Sequence, residues 1–514
     1  MPKIGPLFVF NSTTPDEISK IVMKFKNKKC STDKIPISIL KKVIDIISPI
    51  LAEIFNESIE LGVFPNKLKL GRVIPLHKSG TQNSILNFRP ITTLSVFSKI
   101  FEKLVHNRML KFINKFGILN QNQFGFRKSR NTADAILEFL DNTYDSFNDN
   151  KFLLAVFLDF SKAFDTINHS ILMSKLEFMG FRGPIYSWLK SYLENRKQYV
   201  DLNGTFSDIR NVTLGVPQGS TLGPLLFLLY INDMKNSLRA LDVLHFADDS
   251  TLYMKFRDNI SDIVNDDLNF LQNWLNTNKL FLNVKKTKYM ILSKRAATPN
   301  LDLKIGASCI EKTDAHKFLG IYIDQHLTFK EHTKNLCSKI SSSVGLLRKI
   351  NYFVPPKVLR QLHFALIHSK FTYAITAYGS ANQNALQKLV NFINKSIKIV
   401  TSSHRVTLDV CKSEKIFDFH LAHRYASCLK MFQINKLEMH SYFLNKINAM
   451  QTDHSYRTRM QLNEELNTPL FRSLKCQKSF LYVGIKYWND LPVNIRNSGN
   501  IKIFKKCLQS HLFS

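Results

Sequence analysis

The chain has 514 residues, too many for one ordinary domain, and 44% of them are apolar, enough to bury large cores in two to four subdomains. Its 71 lysines and arginines face 40 acids, a formal charge of +31 that points to a polyanionic partner, with an anionic membrane surface as the rival reading. The longest purely apolar run, PLLFLLYI (Pro224 to Ile231), is far short of the ~20 residues needed to cross a bilayer, and PLFVF (Pro6 to Phe10) is too short for the apolar stretch of a secretory signal, so an intracellular protein of the nucleus and/or cytoplasm, with no membrane partner, is expected.

In chain order, residues 15 to 62 carry apolar positions at helical spacing, with Ser, Thr or Asp near the starts, and read as a helical lead-in. GRVIPLHKSG (Gly71 to Gly80) is β-branched, then polar, then glycine, as a strand entering a basic loop would be. FLLAVFLDF predicts a strand that ends at Asp159. HSILMSKLEFMGF and PIYSWLKSYLENRK are helical by period. QYVDLNGTFSDIRNVTLG carries Asn203 and Gly204, the strongest short hairpin signal, and runs into GVPQGS, where Gly215 and Gly219 allow a tight bend and a close substrate approach. An ordinary strand-to-helix turn with Ser220 as helix N-cap is the plain alternative, and both can hold at once.

LDVLHFADDSTLYMKF predicts a hairpin with Asp248 and Asp249 at its tip. Two adjacent acids repel each other unless a cation lies between them, although acidic and small residues also make ordinary turns. Asp159 at another strand end turns the balance, because three carboxylates on adjacent strand ends can hold two Mg²⁺ ions of the kind that serve phosphoryl transfer. Beyond the hairpin a helix is expected from about Asn259 to Asn278, then a returning strand in KTKYMILSK and a short linker, SKRAATPN (Ser293 to Asn300). From Glu331 to Val400 ten basic residues face one acid, with aromatics Phe353, Phe364, Phe371, Tyr373, Tyr378 and Phe392 interleaved. Such a run is either a solvated helical face or a surface that tracks a phosphate backbone, and more of its aromatics should be core than base-stacking platforms. The seven cysteines (Cys30, Cys309, Cys337, Cys411, Cys428, Cys476, Cys507) include no CxxC pair, which argues against a zinc knuckle and against disulfide partners, and leaves free, mostly buried thiols.

FLDFSKAFDTINH (Phe157 to His169), GVPQGSTLGP (Gly215 to Pro224) and FADD (Phe246 to Asp249) resemble motifs A, B and C of reverse transcriptases, in the right order. NFRPITTLSVFSKIFEKL (Asn87 to Leu104) and NQFGFRKSRNTADAI (Asn122 to Ile136) resemble the segments before motif A in non-LTR retrotransposons of the jockey-like kind. LFLNVKKTKYMIL (Leu280 to Leu292) and KFLGIYID (Lys317 to Asp324) resemble their motifs D and E. The resemblance runs from about Leu61 to Asp324, and YVGIKYWNDLPVNIR (Tyr482 to Arg496) is similar to the C-terminal ends of the same open reading frames.

The resemblance implies an α+β right-hand polymerase with helical N- and C-terminal additions: a lead-in over 1–60, fingers over 61–150, a palm with its primer-grip region over 151–330, a basic helical thumb over 331–400, and a C-terminal packing or nucleic-acid-binding region over 401–514. It implies an RNA-directed DNA polymerase of a retrotransposon, a nucleotidyltransferase that extends a DNA primer with dNTPs on an RNA template, the element's own RNA among its partners. The cofactor implied is a pair of Mg²⁺ ions, with Mn²⁺ as substitute, held by Asp159, Asp248, Asp249 and the Phe160 carbonyl. Lys286 is the implied proton donor to pyrophosphate, with a solvated surface lysine as the alternative. Lys78, Arg89, Phe164, Gln218 and Gly219 are implied at the nucleotide, Lys78 being equally a surface charge and Phe164 equally a core residue. Phe318, Leu319 and Gly320 are implied at the primer end, and Arg348, Lys349 and Arg360 at the nucleic-acid backbone. The family usually carries an upstream endonuclease, for which residues 1 to 60 leave no room, so the sequence reads as a fragment or a truncated copy. A decayed relic that only binds nucleic acid is the alternative; the intact Asp159, Asp248, Asp249, Gly215, Gly219 and Gly223 favour an enzyme.

Overall fold

A computed structural model describes residues 5–27, 32–33, 35–78, 80–439, 441–451 and 465–514. Cys30, and Ser79 of the basic loop, lie outside these residues. The organising element is the strand Phe152–Leu158, whose seven residues are all apolar and all buried. A strand with no polar side must be covered on both faces. It is the middle of a five-stranded sheet in the order Glu311–Lys312, Lys288–Leu292, Phe152–Leu158, Asp249–Phe256, Asp242–Phe246.

The alternation of side chains along that strand divides the interior in two. Leu154, Val156 and Leu158 join one core with the helices Ile37–Glu60, Val96–Lys115, His169–Phe178, Pro184–Leu193, Gly223–Ile231 and Ser261–Thr277. Leu153, Ala155 and Phe157 join the other, with the helix Thr132–Asn148, the hairpin Ala315–Phe318/Ile321–Asp324 and the helices from Lys330–Ile350 to Ile501–Phe513. Each fully buried large apolar side chain contributes about 1.5–3 kcal/mol. The apolar run starting at Pro224 belongs to the helix Gly223–Ile231, apolar all round and buried at eight positions, so it is an interior helix. Among the described residues no helix is long and apolar enough to cross a membrane.

A second five-stranded sheet has the order Phe88–Thr93, Leu70–His77, Arg196–Leu202, Thr205–Phe206, with Arg210–Val212 also paired to Arg196–Leu202. The expected Asn203–Gly204 hairpin is present, its ladder closing at Leu202 and Thr205.

The C-terminal region packs on the helix Thr132–Asn148, which starts in a capping box between Asn131 and Asp134. The carboxylate of Asp134 pairs with Lys430, and both are buried. One helical turn or more further along, Tyr442 donates to Asp141 at 2.9 Å and Lys446 reaches Asp141 and Asp145. Residues near 440 are thereby locked to residues near 140.

Candidate active site

Asp159 stands one residue past the end of the central strand, and Asp248 and Asp249 occupy the turn of the adjacent hairpin, where Phe246 faces Asp249 across the ladder. Because Leu158 pairs with Ser250, the strand end carrying Asp159 lies beside the turn carrying the two other acids. Their charges act on one another. Asp249 is pushed up to about 6, first by thinned hydration, then by repulsion from Asp248 and Asp159. Asp248 is raised for the same leading reason, its own amide, Arg89 and Lys78 opposing the shift. Both side chains keep solvent contact, so the protein around them weakens their hydration without removing it.

Lys78 and Arg89 are exposed, at the end of one strand of the second sheet and on its neighbour, and their positive charges reach the acid pair. Phe160 forms an isolated bridge with Leu282, whose hydrogen bonds use the Asp159 carbonyl (from Asn283 N, 2.8 Å) and the Ser161 amide (to Phe281 O, 2.8 Å). In such a pair the bridge residue's own carbonyl points away from the partner strand.

Gly215–Ser220 forms a turn sewn to its surroundings by backbone contacts. Gly215 has φ +81°, and a Cβ there would lie 2.7 Å from the Asp165 carbonyl oxygen. At Gly219, φ +127°, a Cβ would meet the Thr92 oxygen at 2.3 Å. The Thr92 amide donates to Gln218 O at 2.7 Å, and Gln218 Nε2 donates to Asp165 Oδ1 at 2.9 Å. Beside this turn is a cavity of about 260 Å³ lined by Thr92, Asp165, Arg196 and Gln218 among others. Ser220 caps the following helix by side chain, although Leu222 is the residue next to it. Its hydroxyl donates to Pro217 O and accepts from Gly223 N, both at 2.9 Å, closing the turn on itself. The amides of Thr221 and Leu222 go instead to the buried carboxylate of Glu102, at 2.6 and 3.4 Å. Burial raises the pKa of Glu102, and the charge of Arg196 opposes that shift.

Phe164 is half-buried, its ring stacked on Phe227 at 4.4 Å. Lys286 is exposed on the turn before Lys288–Leu292. In the Ala315–Phe318/Ile321–Asp324 hairpin the turn is Leu319–Gly320, with φ +44° and +94°. The Phe318 side chain faces the interior, 5.0 Å from the Phe139 ring and 6.0 Å from that of Phe157, so it presents only backbone at the turn. Tyr373 OH bonds both Leu319 O (2.5 Å) and Thr132 Oγ1 (2.9 Å). Arg348 and Lys349 are exposed at the end of the helix Lys330–Ile350, and Arg360 lies 5.8 Å from the Phe364 ring centre. Of the interleaved aromatics, Phe371 and Tyr378 are core while Phe353 is 84% exposed.

Sequence reasoning missed the support beneath the acidic turn. Phe124 N donates to His245 O and His245 N to Asn122 O, so the segment Asn122–Phe124 runs as an extra edge along the hairpin. The buried Gln123 Oε1 accepts from Ala247 N at 3.0 Å and Gly125 N at 2.8 Å. Gly125 fits against the turn so closely that a Cβ would lie 2.4 Å from Ala247 N. Ala247 itself is left-handed at φ +57°. The signal in the sequence was the NQFG string, whose polar and small residues suit a close backbone approach but name no partner.

The donors around the acids are oxygens, which suit a hard cation, and the raised pKa of Asp248 and Asp249 is the electrostatic demand that such a cation would relieve. Among the described residues no three His, Cys, Asp or Glu side chains form a cage that could hold an ion by themselves. Mg²⁺ does not require one, since it is usually held by one or two carboxylates together with substrate phosphates.

The family described as "Reverse transcriptase (RNA-dependent DNA polymerase)" matches residues 76–323. The chain is 29% identical over 369 residues to the probable RNA-directed DNA polymerase from transposon BS of Drosophila melanogaster, covering 68% of this chain and 40% of that protein. It is 27% identical over 400 residues to the probable RNA-directed DNA polymerase from transposon X-element of the same organism (75% of this chain, 44% of that one). Against the RNA-directed DNA polymerase from mobile element jockey, also of Drosophila melanogaster, the identity is 25% over 411 residues (76% and 44%). The chain thus spans less than half the length of these relatives. The acids at the strand ends and the turn sewn to Thr92 belong to the chain that matches the reverse transcriptase family over residues 76–323 and is similar to RNA-directed DNA polymerases of Drosophila mobile elements.

Proposed function

We propose that the chain is an RNA-directed DNA polymerase of a retrotransposon, adding deoxynucleotides to a DNA primer 3′-OH on an RNA template and releasing pyrophosphate. The observation that carries this reading is the meeting of Asp159, Asp248 and Asp249 at adjacent strand ends within the reverse transcriptase match. In the right-hand description, residues 61–150 act as fingers, 151–330 as palm, 331–400 as thumb, and 401–514 as a region that braces them. Asp159, Asp248, Asp249 and the Phe160 carbonyl would hold two Mg²⁺ ions, or Mn²⁺ in their place. Those ions would supply charge compensation for the oxygens that gain and lose the phosphoryl bond.

The remaining roles belong to the chain's own groups. Lys78 and Arg89, whose charge already reaches the acids, take the triphosphate oxygens. Phe164 closes the space beneath the sugar, and Gln218, anchored by Asp165, meets the nucleotide or template beside Gly219, whose missing side chain lets the turn close on the Thr92 carbonyl. Leu319–Gly320 supplies backbone to the primer end, held by Tyr373. Lys286 is placed on a solvent turn from which a flexible side chain can deliver a proton to pyrophosphate.

The test is primer extension by the purified chain beside Asp248→Asn and Asp159→Asn. Each substitution should abolish extension, beyond the roughly 10²–10³-fold loss typical of one removed electrostatic stabiliser, while template and primer binding persists. Near-normal extension in Mg²⁺ by either variant would overturn the assignment.

A further inference from the structure

The helix Val96–Lys115 carries Lys103, Asn107, Lys111 and Lys115 at intervals of four residues. Such a row advances about 6 Å per step and winds slowly round the helix, so that one side chain follows another along a single edge. Two adjoining hollows lie along this edge. The first, of about 450 Å³, is lined by Lys20, Lys24 and Phe25 on one side and Lys103, Asn107 and Lys111 on the other. The second, of about 400 Å³, is lined by Phe8, Val9, Arg108, Lys111, Phe112 and Lys115 among others. Lys111 and Glu17 belong to both, so the two form one furrow between the helix and the N-terminal segment.

The acids of the furrow are already engaged. Asp16 pairs with Lys20 at 2.5 Å and Glu17 with Arg108 at 2.6 Å. Among the described residues Lys24, Lys103, Lys111 and Lys115 have no carboxylate within ion-pair distance. Lys24 and Lys103 crowd each other enough that the charge of Lys24 helps lower the pKa of Lys103, after burial. The polar neighbour of Lys103 is His106, 3.3 Å away, a ring that burial and Lys103 push down to about 4 and so brings no negative charge. Positive groups held together without a counter-charge form a site for an extended polyanion. Aromatic rings line or border it: Phe25 is in the lining with the buried Phe8 and Phe112, Phe10 lies under the Arg108 guanidinium at 4.3 Å, and the exposed Phe116 stands beside the Lys115 ammonium at 5.3 Å.

We infer that this furrow binds single-stranded RNA, its lysine row following the phosphates while Phe25 in its lining and Phe116 at its end receive unstacked bases. A charged groove with interleaved rings is how single strands are held without sequence preference, whereas a duplex would offer the rings no free base face. None of the residues assigned to polymerisation lines the furrow, so it is a second RNA contact, suited to holding a stretch of the element's RNA outside the polymerase cleft.

The experiment compares the full chain with a Lys24→Gln, Lys103→Gln, Lys111→Gln, Lys115→Gln variant and with the same four positions changed to Arg. Fluorescence anisotropy with an unstructured RNA oligonucleotide is measured across KCl concentrations, beside extension of a short pre-annealed primer–template. The glutamine variant should weaken RNA binding and flatten the log–log salt slope by two to three units, at about 0.7 per phosphate on a single strand, while the arginine variant keeps both and extension of the short duplex is unchanged. An unchanged slope in the glutamine variant overturns the inference. So does preferential loss of binding to duplex RNA or to phosphatidylserine vesicles. Because RNA binding is read without catalysis, a chain inactive in extension would leave this result standing.

Discussion

Replacing Gln123 with Leu keeps the volume of a buried side chain and deletes the one oxygen that two backbone amides share. Gly125 N and Ala247 N would then be buried without an acceptor, each costing about 1–3 kcal/mol. Ala247, left-handed without being glycine, already stores about 1–2 kcal/mol of backbone strain that its surroundings must offset. Removing the acceptor therefore favours a relaxed turn in which Ala247 leaves that conformation and Asp248 moves with it. If only about 1.4 kcal/mol of the loss appears as such a preference, the fraction of molecules with the acids in place falls about tenfold. The assay is steady-state primer extension titrated with Mg²⁺, alongside the thermal midpoint. The Gln123→Leu variant should lose about tenfold or more in kcat, need more Mg²⁺ for half-maximal rate, and melt somewhat lower. A variant that melts lower yet keeps the parent's kcat and Mg²⁺ requirement would refute the idea that Gln123 positions the acids.

Asp249 at about 6, and Asp248 raised with it, bind their protons more tightly folded than unfolded, so the ion-free protein loses stability as pH rises from about 4 to 6. Mg²⁺ binding requires the ionised acids; the rise in thermal midpoint on adding Mg²⁺ should be clear at pH 7.5 and small at pH 5, and an equal rise at both would sink the site. Phe164→Ala, removing a half-buried ring stacked on Phe227, should leave a folded enzyme whose preference for dNTPs over rNTPs collapses; a destabilised but still selective enzyme would make Phe164 a core residue only. Changing Arg348, Lys349 and Arg360 to Gln should flatten the salt dependence of primer–template binding, and an unchanged slope would return them to a solvated helical face.

Features that are local were legible in the sequence. The seven-residue apolar strand that ends just before Asp159, the acid pair between two apolar runs and the Asn203–Gly204 turn each depend on near neighbours, and all three stand within a residue of where the patterns put them. Local pattern also named Gly215 and Gly219, because positive φ and close approach exclude a side chain whatever lies opposite. What lies opposite was decided only by the tertiary structure. Thr92 against Gly219, Glu102 at the start of the helix Gly223–Ile231, Gln123 beneath Ala247, and Asp134 with Lys430 are pairs separated by 119 to 296 residues or brought across sheets. Ser220 shows both sides of the limit: its type and position predicted a cap and it bonds Gly223 N, but the neighbouring amides of Thr221 and Leu222 go to a buried carboxylate from another helix that no local pattern names. Period and turn chemistry report which face of an element is apolar; the faces around the central strand found cover, while Ile39, Val43, Ile46, Ile50 and Ile54 of the helix Ile37–Glu60 stay exposed. Such patterns carry no term for which partner provides that cover, since partner choice is settled by the simultaneous packing of both cores against one sheet.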